Sequence, residues 1–162
     1  YEENKPYPFR SRQISRMYQV IPIEPSIWGN LAGTDYSKLN LETTCRVRVM
    51  YREKPETDKG RMRLQVLSYE PDGSTFKEIQ IATEAASTWY PTNLDEKTFD
   101  ERRRGTANPW AELKTSLTLD AAAIDQIVDQ KLYLRIYLEG RNDANWDIDA
   151  YFDQVTARWY YS

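Results

Sequence analysis

The stretch from Asn145 to Trp159 constrains the fold of this chain more than any other part of it. It alternates polar and apolar residues, as a half-buried strand must. Ile148, Ala150 and Phe152 share one face, while Asp147, Asp149 and Tyr151 share the other. After Asp153 and Gln154 the parity flips, and Val155, Ala157 and Trp159 become the apolar set. A one-residue phase change inside a strand is the mark of a β-bulge, here placed beside an aspartate.

Other segments show the same period of two. Met17 to Ile23 predicts a first strand, stopped by Pro22 and Pro25, with a loop over 26–39. Within Thr43 to Arg52, Cys45, Val47, Val49 and Tyr51 alternate with Arg46, Arg48, Met50 and Arg52. Met62, Leu64 and Val66 alternate with Arg61, Arg63 and Gln65. Pro71, Asp72 and Gly73 then form a turn, since proline presets φ and glycine accepts φ > 0, and Phe76 to Thr83 pairs back as a hairpin. Leu113, Leu117 and Leu119 mark a further strand, after which Asp120 caps a helical turn over 121–129. Lys131–Glu139 and Asp147–Tyr160 complete the set. Between Asn93 and Gly105 the acids of Asp95–Arg104 come first and the bases last, an order that suits a short surface helix aligned with its own dipole.

About eight short strands with turns between them predict an all-β fold of two antiparallel sheets, with one or two short surface helices. The chain of 162 residues has the size of one domain, and a chain of this length buries about 68–70% of its unfolded surface. Residues 1–13 read as an extended arm, because Pro6 and Pro8 oppose helix and interrupt a ladder. Residues 14–162 make the sandwich.

Composition removes most chemistry. With no histidine, imidazole bases, serine and cysteine triads, and histidine-ligated metals are excluded. The single cysteine, Cys45, shares parity with Val47 and Val49 and reads as an inert buried thiol. A hard ion held by oxygen, calcium first, is the one metal the composition allows. The net charge of −3 points to neither nucleic acid nor an anionic membrane, and no run approaches the ~20 apolar residues of a membrane span. Asp147 and Asp149 lie about 6–7 Å apart by strand rise, but on an arginine-rich sheet they read as ion-pair partners. The chain is expected not to be an enzyme.

The run Tyr151, Phe152, Asp153, Gln154, Val155 resembles the closing strand of jelly-roll carbohydrate-binding modules of the galactose-binding-like family, whose pattern is an aromatic, Ile or Phe, two acids and Val. Here Gln154 replaces the second acid. Trp110 to Leu119 resembles that family's Trp-led strand before the penultimate one, so the likeness spans roughly residues 40–160. It implies a jelly-roll β-sandwich, a non-catalytic module, a glycan or polysaccharide as ligand, and an extracellular or cell-surface setting. It also implies a structural calcium at Asp153, for which Glu24 is the candidate partner.

Outward parity then selects a candidate surface. Arg46, Arg48 and Arg63 with Tyr133, Arg135 and Tyr137 would form a face of guanidinium forks and phenols, with Trp89 or Trp146 at its edge. Arginine forks bind carboxylates, sulfates and vicinal hydroxyls, and tyrosine adds a flat ring with a hydroxyl. Aromatics make up 13% of the chain, a load that needs a core, a ligand or a partner to occupy it. Trp28, Trp89 and Trp146 lie in or beside loops, where indoles serve as stacking platforms or as plugs of the sandwich ends. The alternative reading is a structural subunit of a filament, surface layer or virion, in which the arm engages copies of the same chain or a larger assembly.

Overall fold

A computed structural model describes residues 13–29, 31, 35–49, 58–91, 109–142 and 150–162. Two antiparallel sheets face each other. The larger contains β1 (Gln13–Ile23), β7 (Leu132–Asn142), β3 (Lys59–Asp72) and β4 (Thr75–Gln80) in the order β1-β7-β3-β4, with the two-residue β5 (Ala85–Ala86) also on β3. The smaller has β6 (Ala111–Asp120), β2 (Lys38–Val49) and β8 (Ala150–Tyr161) in the order β6-β2-β8. Two single-turn helices, α1 (Pro25–Trp28) and α2 (Ala121–Ile124), close loops. The all-β, two-sheet antiparallel sandwich with short helices expected from the sequence is therefore what the chain forms.

Strand parity builds the core. Cys45, Val47, Val49, Leu64, Val66, Leu134 and Ile136 are all buried, as their alternation requires, and Phe152 packs against them. Leu39, Leu41, Met62 and Leu119 join them with no exposed surface. Ile148 lies outside the described residues. A one-residue slip would turn each of these sets to water.

The bulge in the last strand is present. Thr44 pairs with Thr156 but Arg46 pairs with Asp153, so two steps on β2 face three on β8. Gln154 takes the left-handed conformation with φ of 51°, and the Asp153 carboxylate accepts a hydrogen bond from the Gln154 N–H at 2.8 Å. Parity recovers beyond it: Ala157 lies opposite Thr43 and Trp159 opposite Leu41, both core positions.

Some boundaries moved. Pro22 does not end β1 but sits within it, opposite Tyr133, which an edge strand tolerates because the missing N–H need face no neighbour. Pro25 opens α1, since its fixed φ suits a first helical position. Asp120 does cap a helical turn, accepting from the Ala123 N–H at 2.8 Å, but the helix stops after Ile124. The hairpin turn falls as expected, with Gly73 at φ of 62°. The expected helix over 95–104 lies outside the described residues.

Candidate functional site

The outer face of the five-stranded sheet gathers five of the eight expected ligand residues. β7 contributes Tyr133, Arg135 and Tyr137, and β3 contributes Arg63, which lies directly opposite Tyr137. Trp89 follows β5 and covers the far end, with Arg61 4.4 Å and Arg141 5.0 Å from its ring centre.

A continuous polar network ties this face together. Glu139, with no exposed surface, accepts from Arg61 Nε at 2.6 Å and from Arg63 Nε at 3.1 Å. The exposed Arg16 on β1 approaches it at 3.6 Å. The same Arg63 reaches across to Glu84 with Nη1 at 3.0 and 3.1 Å. Gln65 donates to Glu84 and accepts from Arg135 Nε and Nη2. Arg135 then forks onto Glu78 of β4 at 2.7 and 2.9 Å. A carboxylate as buried as Glu139 is tolerable only with such partners.

These contacts set the charge states. Hydrogen bonding from Arg135 holds the Glu78 carboxyl below its ordinary value, against the opposing effect of burial. The Arg135 charge is in turn strengthened, first by its bond to Glu78. Burial works against the Arg63 charge, but the Glu84 hydrogen bond and the nearby Glu139 and Glu84 charges raise its pKa overall. Burial, with Glu78 nearby, pushes the Tyr69 phenol up.

Rings fill the spaces between the charges. Tyr18 of β1 tilts against Tyr137 at 5.3 Å between centroids, and Tyr69 meets Tyr133 edge-on at 5.3 Å. Arg63 and Arg135 lie over Tyr137 at 4.1 and 5.2 Å. Tyr137 is thereby buried and acts as a support, not as an open platform. The open rings are Tyr18, 60% exposed, and Phe76 of β4, 69% exposed. Neither was selected from the sequence. The alternation of Tyr18 with Met17 would have placed it outward, and pairing of β1 with β7 places it beside Tyr137.

Arg46 and Arg48 do not belong to this face. Both have the outward parity expected, but β2 is the centre of the other sheet, so they emerge on the opposite side of the sandwich. There they lie 5.4 and 5.0 Å from the ring centre of Trp110, with Tyr151 5.6 Å from Arg48. Trp146 lies outside the described residues. Trp28 is a plug, not a platform: its ring is buried and its Nε1 donates to the Ile23 carbonyl at 3.2 Å.

The expected calcium pair is not assembled. Glu24 precedes α1, and Tyr161 at the end of β8 donates to the Ile27 carbonyl in that same helix. Asp153 lies eight residues upstream on β8, roughly 25 Å away by strand rise. The two carboxylates thus occupy opposite ends of the sandwich, and Asp153 serves the bulge. Among the described residues no cluster of three acidic or thiol side chains could hold a metal ion.

A separate groove of about 630 Å³ opens between Ile81–Ala85, β6 and α2, lined by Glu84, Ser116, Thr118, Asp120 and Gln126 among others. Among the described residues no aromatic ring lines it. It was not foreseen, because its walls join two segments far apart in sequence, 81–85 and 116–126. Among the described residues no helix is long and apolar enough to cross a membrane. Family models, curated proteins and solved structures were compared with this chain, and none matches.

Proposed function

We propose that this domain is a non-catalytic glycan-binding module whose ligand lies on the outer face of the five-stranded sheet. The observation that carries the reading is the exposed Tyr18 ring, held against Tyr137 and set beside Arg135, whose guanidinium centre is 5.6 Å from it. A sugar ring needs a flat apolar surface and fixed hydrogen-bonding groups around it. Here the groups are fixed in advance by the carboxylate network, so little ordering entropy remains to be lost on binding. Glu78 and Glu84 keep acceptor capacity for ligand hydroxyls, because an ionised carboxylate offers about four lone-pair sites.

Among the described residues of this face, the guanidinium groups of Arg16, Arg61, Arg63, Arg135 and Arg141 outnumber the carboxylates of Glu78, Glu84 and Glu139. That balance favours neutral and acidic polysaccharides over cationic ones. Titration against a panel containing all three kinds tests the reading. The expected result is binding of neutral or acidic members, with Tyr18→Ala weakening it by on the order of 1 kcal/mol or more. A panel that yields no ligand, or a ligand whose affinity is indifferent to Tyr18→Ala and Phe76→Ala, would remove this face from consideration.

A further inference from the structure

One row of the larger sheet runs from the exposed Tyr18 ring on the outer face to the groove at the side of the sandwich. Tyr18 of β1 stands opposite Tyr137 of β7, Tyr137 opposite Arg63 of β3, and Arg63 opposite Ala86 of β5. The ends of this row are three strand spacings apart, about 14 Å. Just before β5 comes Glu84, whose two carboxylate oxygens accept from Arg63 Nη1 at 3.0 and 3.1 Å. Glu84 also lines the groove of about 630 Å³, together with Ala85. The face and the groove therefore share a residue, and the Arg63–Glu84 pair joins them.

The groove has the makeup of a ligand site. Its volume falls within the range of about 300–1,000 Å³ common to small-molecule sites. Buried Ile81 and Leu117 contribute apolar surface to it. Around them Thr83, Ser116 and Thr118 supply hydroxyls, and Gln126 an amide. Such a mixture suits a sugar, which presents C–H groups and hydroxyls side by side. Two of the polar groups are fixed in advance. Glu84 is held by Arg63 and Gln65, and Asp120 is held as the cap of α2, accepting from the Ala123 N–H at 2.8 Å. Groups held in this way lose little freedom on binding.

We propose that the ligand is a neutral polysaccharide whose chain crosses the sheet along this row, from Tyr18 over Arg63 to Glu84, and places its next units in the groove. The proposal rests on the glycan reading of the face and narrows it. Charge decides the class. Arg63 and Arg135 on the face disfavour a cationic chain, and the carboxylates of Glu84 and Asp120 in the groove wall disfavour uronates and sulfates. A neutral chain meets neither penalty. An acidic chain would use the face alone and gain nothing from units beyond it. Length dependence thus separates the two classes.

Calorimetric titration with neutral disaccharides and hexasaccharides, and with carboxylated members of both sizes, tests the proposal. The neutral hexasaccharide is expected to bind about tenfold or more tighter than the disaccharide, because its groove contacts become intramolecular. Ala122→Trp, at an exposed position in the groove wall, should remove that advantage and leave disaccharide affinity unchanged; thermal melting shows that the variant is folded. Tyr18→Ala should weaken both sizes. Asp120→Asn keeps the helix cap, since asparagine caps as well as aspartate. It should let the carboxylated hexasaccharide gain about threefold over the unaltered chain. Equal affinity for the two neutral sizes would overturn the groove and leave the face standing. So would full length dependence in folded Ala122→Trp. Were no saccharide of either size to bind, the face and the groove would fall together.

Discussion

The guanidinium of Arg63 lies 4.1 Å from the ring centre of Tyr137, its direct cross-strand partner, while its nitrogens hold Glu139 on one side and Glu84 on the other. One side chain thus joins β3, β7 and the segment before β5. The ring beneath it excludes water from the ion pairs, which strengthens them relative to exposed pairs.

Removing the buried carboxylate should be costly. Glu139→Ala leaves Arg61 and Arg63 without their shared acceptor, and breaking a buried pair from one side costs about 3–5 kcal/mol. Arg16, half exposed, adds little to this figure. Urea unfolding measures the loss. A change below about 1 kcal/mol would mean that the arginines simply reorient to water.

Gly60 is a close-approach position. A Cβ there would lie 2.7 Å from Val47 Cγ2 and 3.2 Å from Phe152 Cζ. The backbone cannot retreat, because Gly60 and Tyr90 exchange two hydrogen bonds of 2.8 Å. Gly60→Ala should therefore destabilise by about 1–3 kcal/mol. Combining it with Val47→Ala, which removes the clashing methyl, should cost less than the sum of the two. Strict additivity in thermal melts would show that the sheets separate freely at this point.

Acid should weaken the fold in a defined direction. The Glu78 carboxyl is held below its ordinary value by Arg135, and that of Glu42 chiefly by its bond from Lys114. A folded-state pKa below the unfolded one stabilises above the ordinary carboxylate value. That contribution is lost as pH falls from about 4.3 through the folded value. The Glu78 carboxylate is 47% exposed, so solvent screens its pair with Arg135 and the effect is small. Glu78→Gln should flatten the stability profile below about pH 5 and leave its slope at neutral pH unchanged; an unaltered acid limb contradicts the pairing.

Cys45 offers a reporter of opening. Burial, with Glu112 adding to it, pushes its thiol up to about 11, and the side chain is enclosed. Alkylation at pH 8 should be slow in the folded chain and fast in denaturant. Mass spectrometry reads the difference. Rapid modification without denaturant would place Cys45 on a surface and shift the β2 register by one.

Alternation made the core legible: Cys45, Val47, Val49, Leu64, Val66, Leu134 and Ile136 could each be assigned an inward side from their neighbours alone. The bulge at Asp153 and Gln154 was legible for the same reason. Parity says which way a side chain turns but not which sheet its strand joins. Arg46 and Arg63 look equivalent in sequence, yet they emerge on opposite faces because β2 and β3 sit in different layers. The same limit hid the separation of Glu24 from Asp153. Tyr18 was passed over because an exposed ring beside a strand start has no meaning until β7 is known to lie next to it. Trp28 could not be told from a platform, since a helical turn after Pro25 swings its ring inward.

Sheet order also fixes when the pieces can meet. Gln13 of β1 pairs with Asn142 of β7, and Leu39 of β2 with Tyr161 of β8. During synthesis β1 emerges long before the strand it lies against, and β2 can use β6 but must wait for β8. Loop-closure entropy is met before these distant pairings return any contact energy. Folding of this domain should accordingly be slow and all-or-none. Nascent chains that stop short of β8 would carry the apolar face of β2 unprotected, which makes them natural clients for chaperones or proteases.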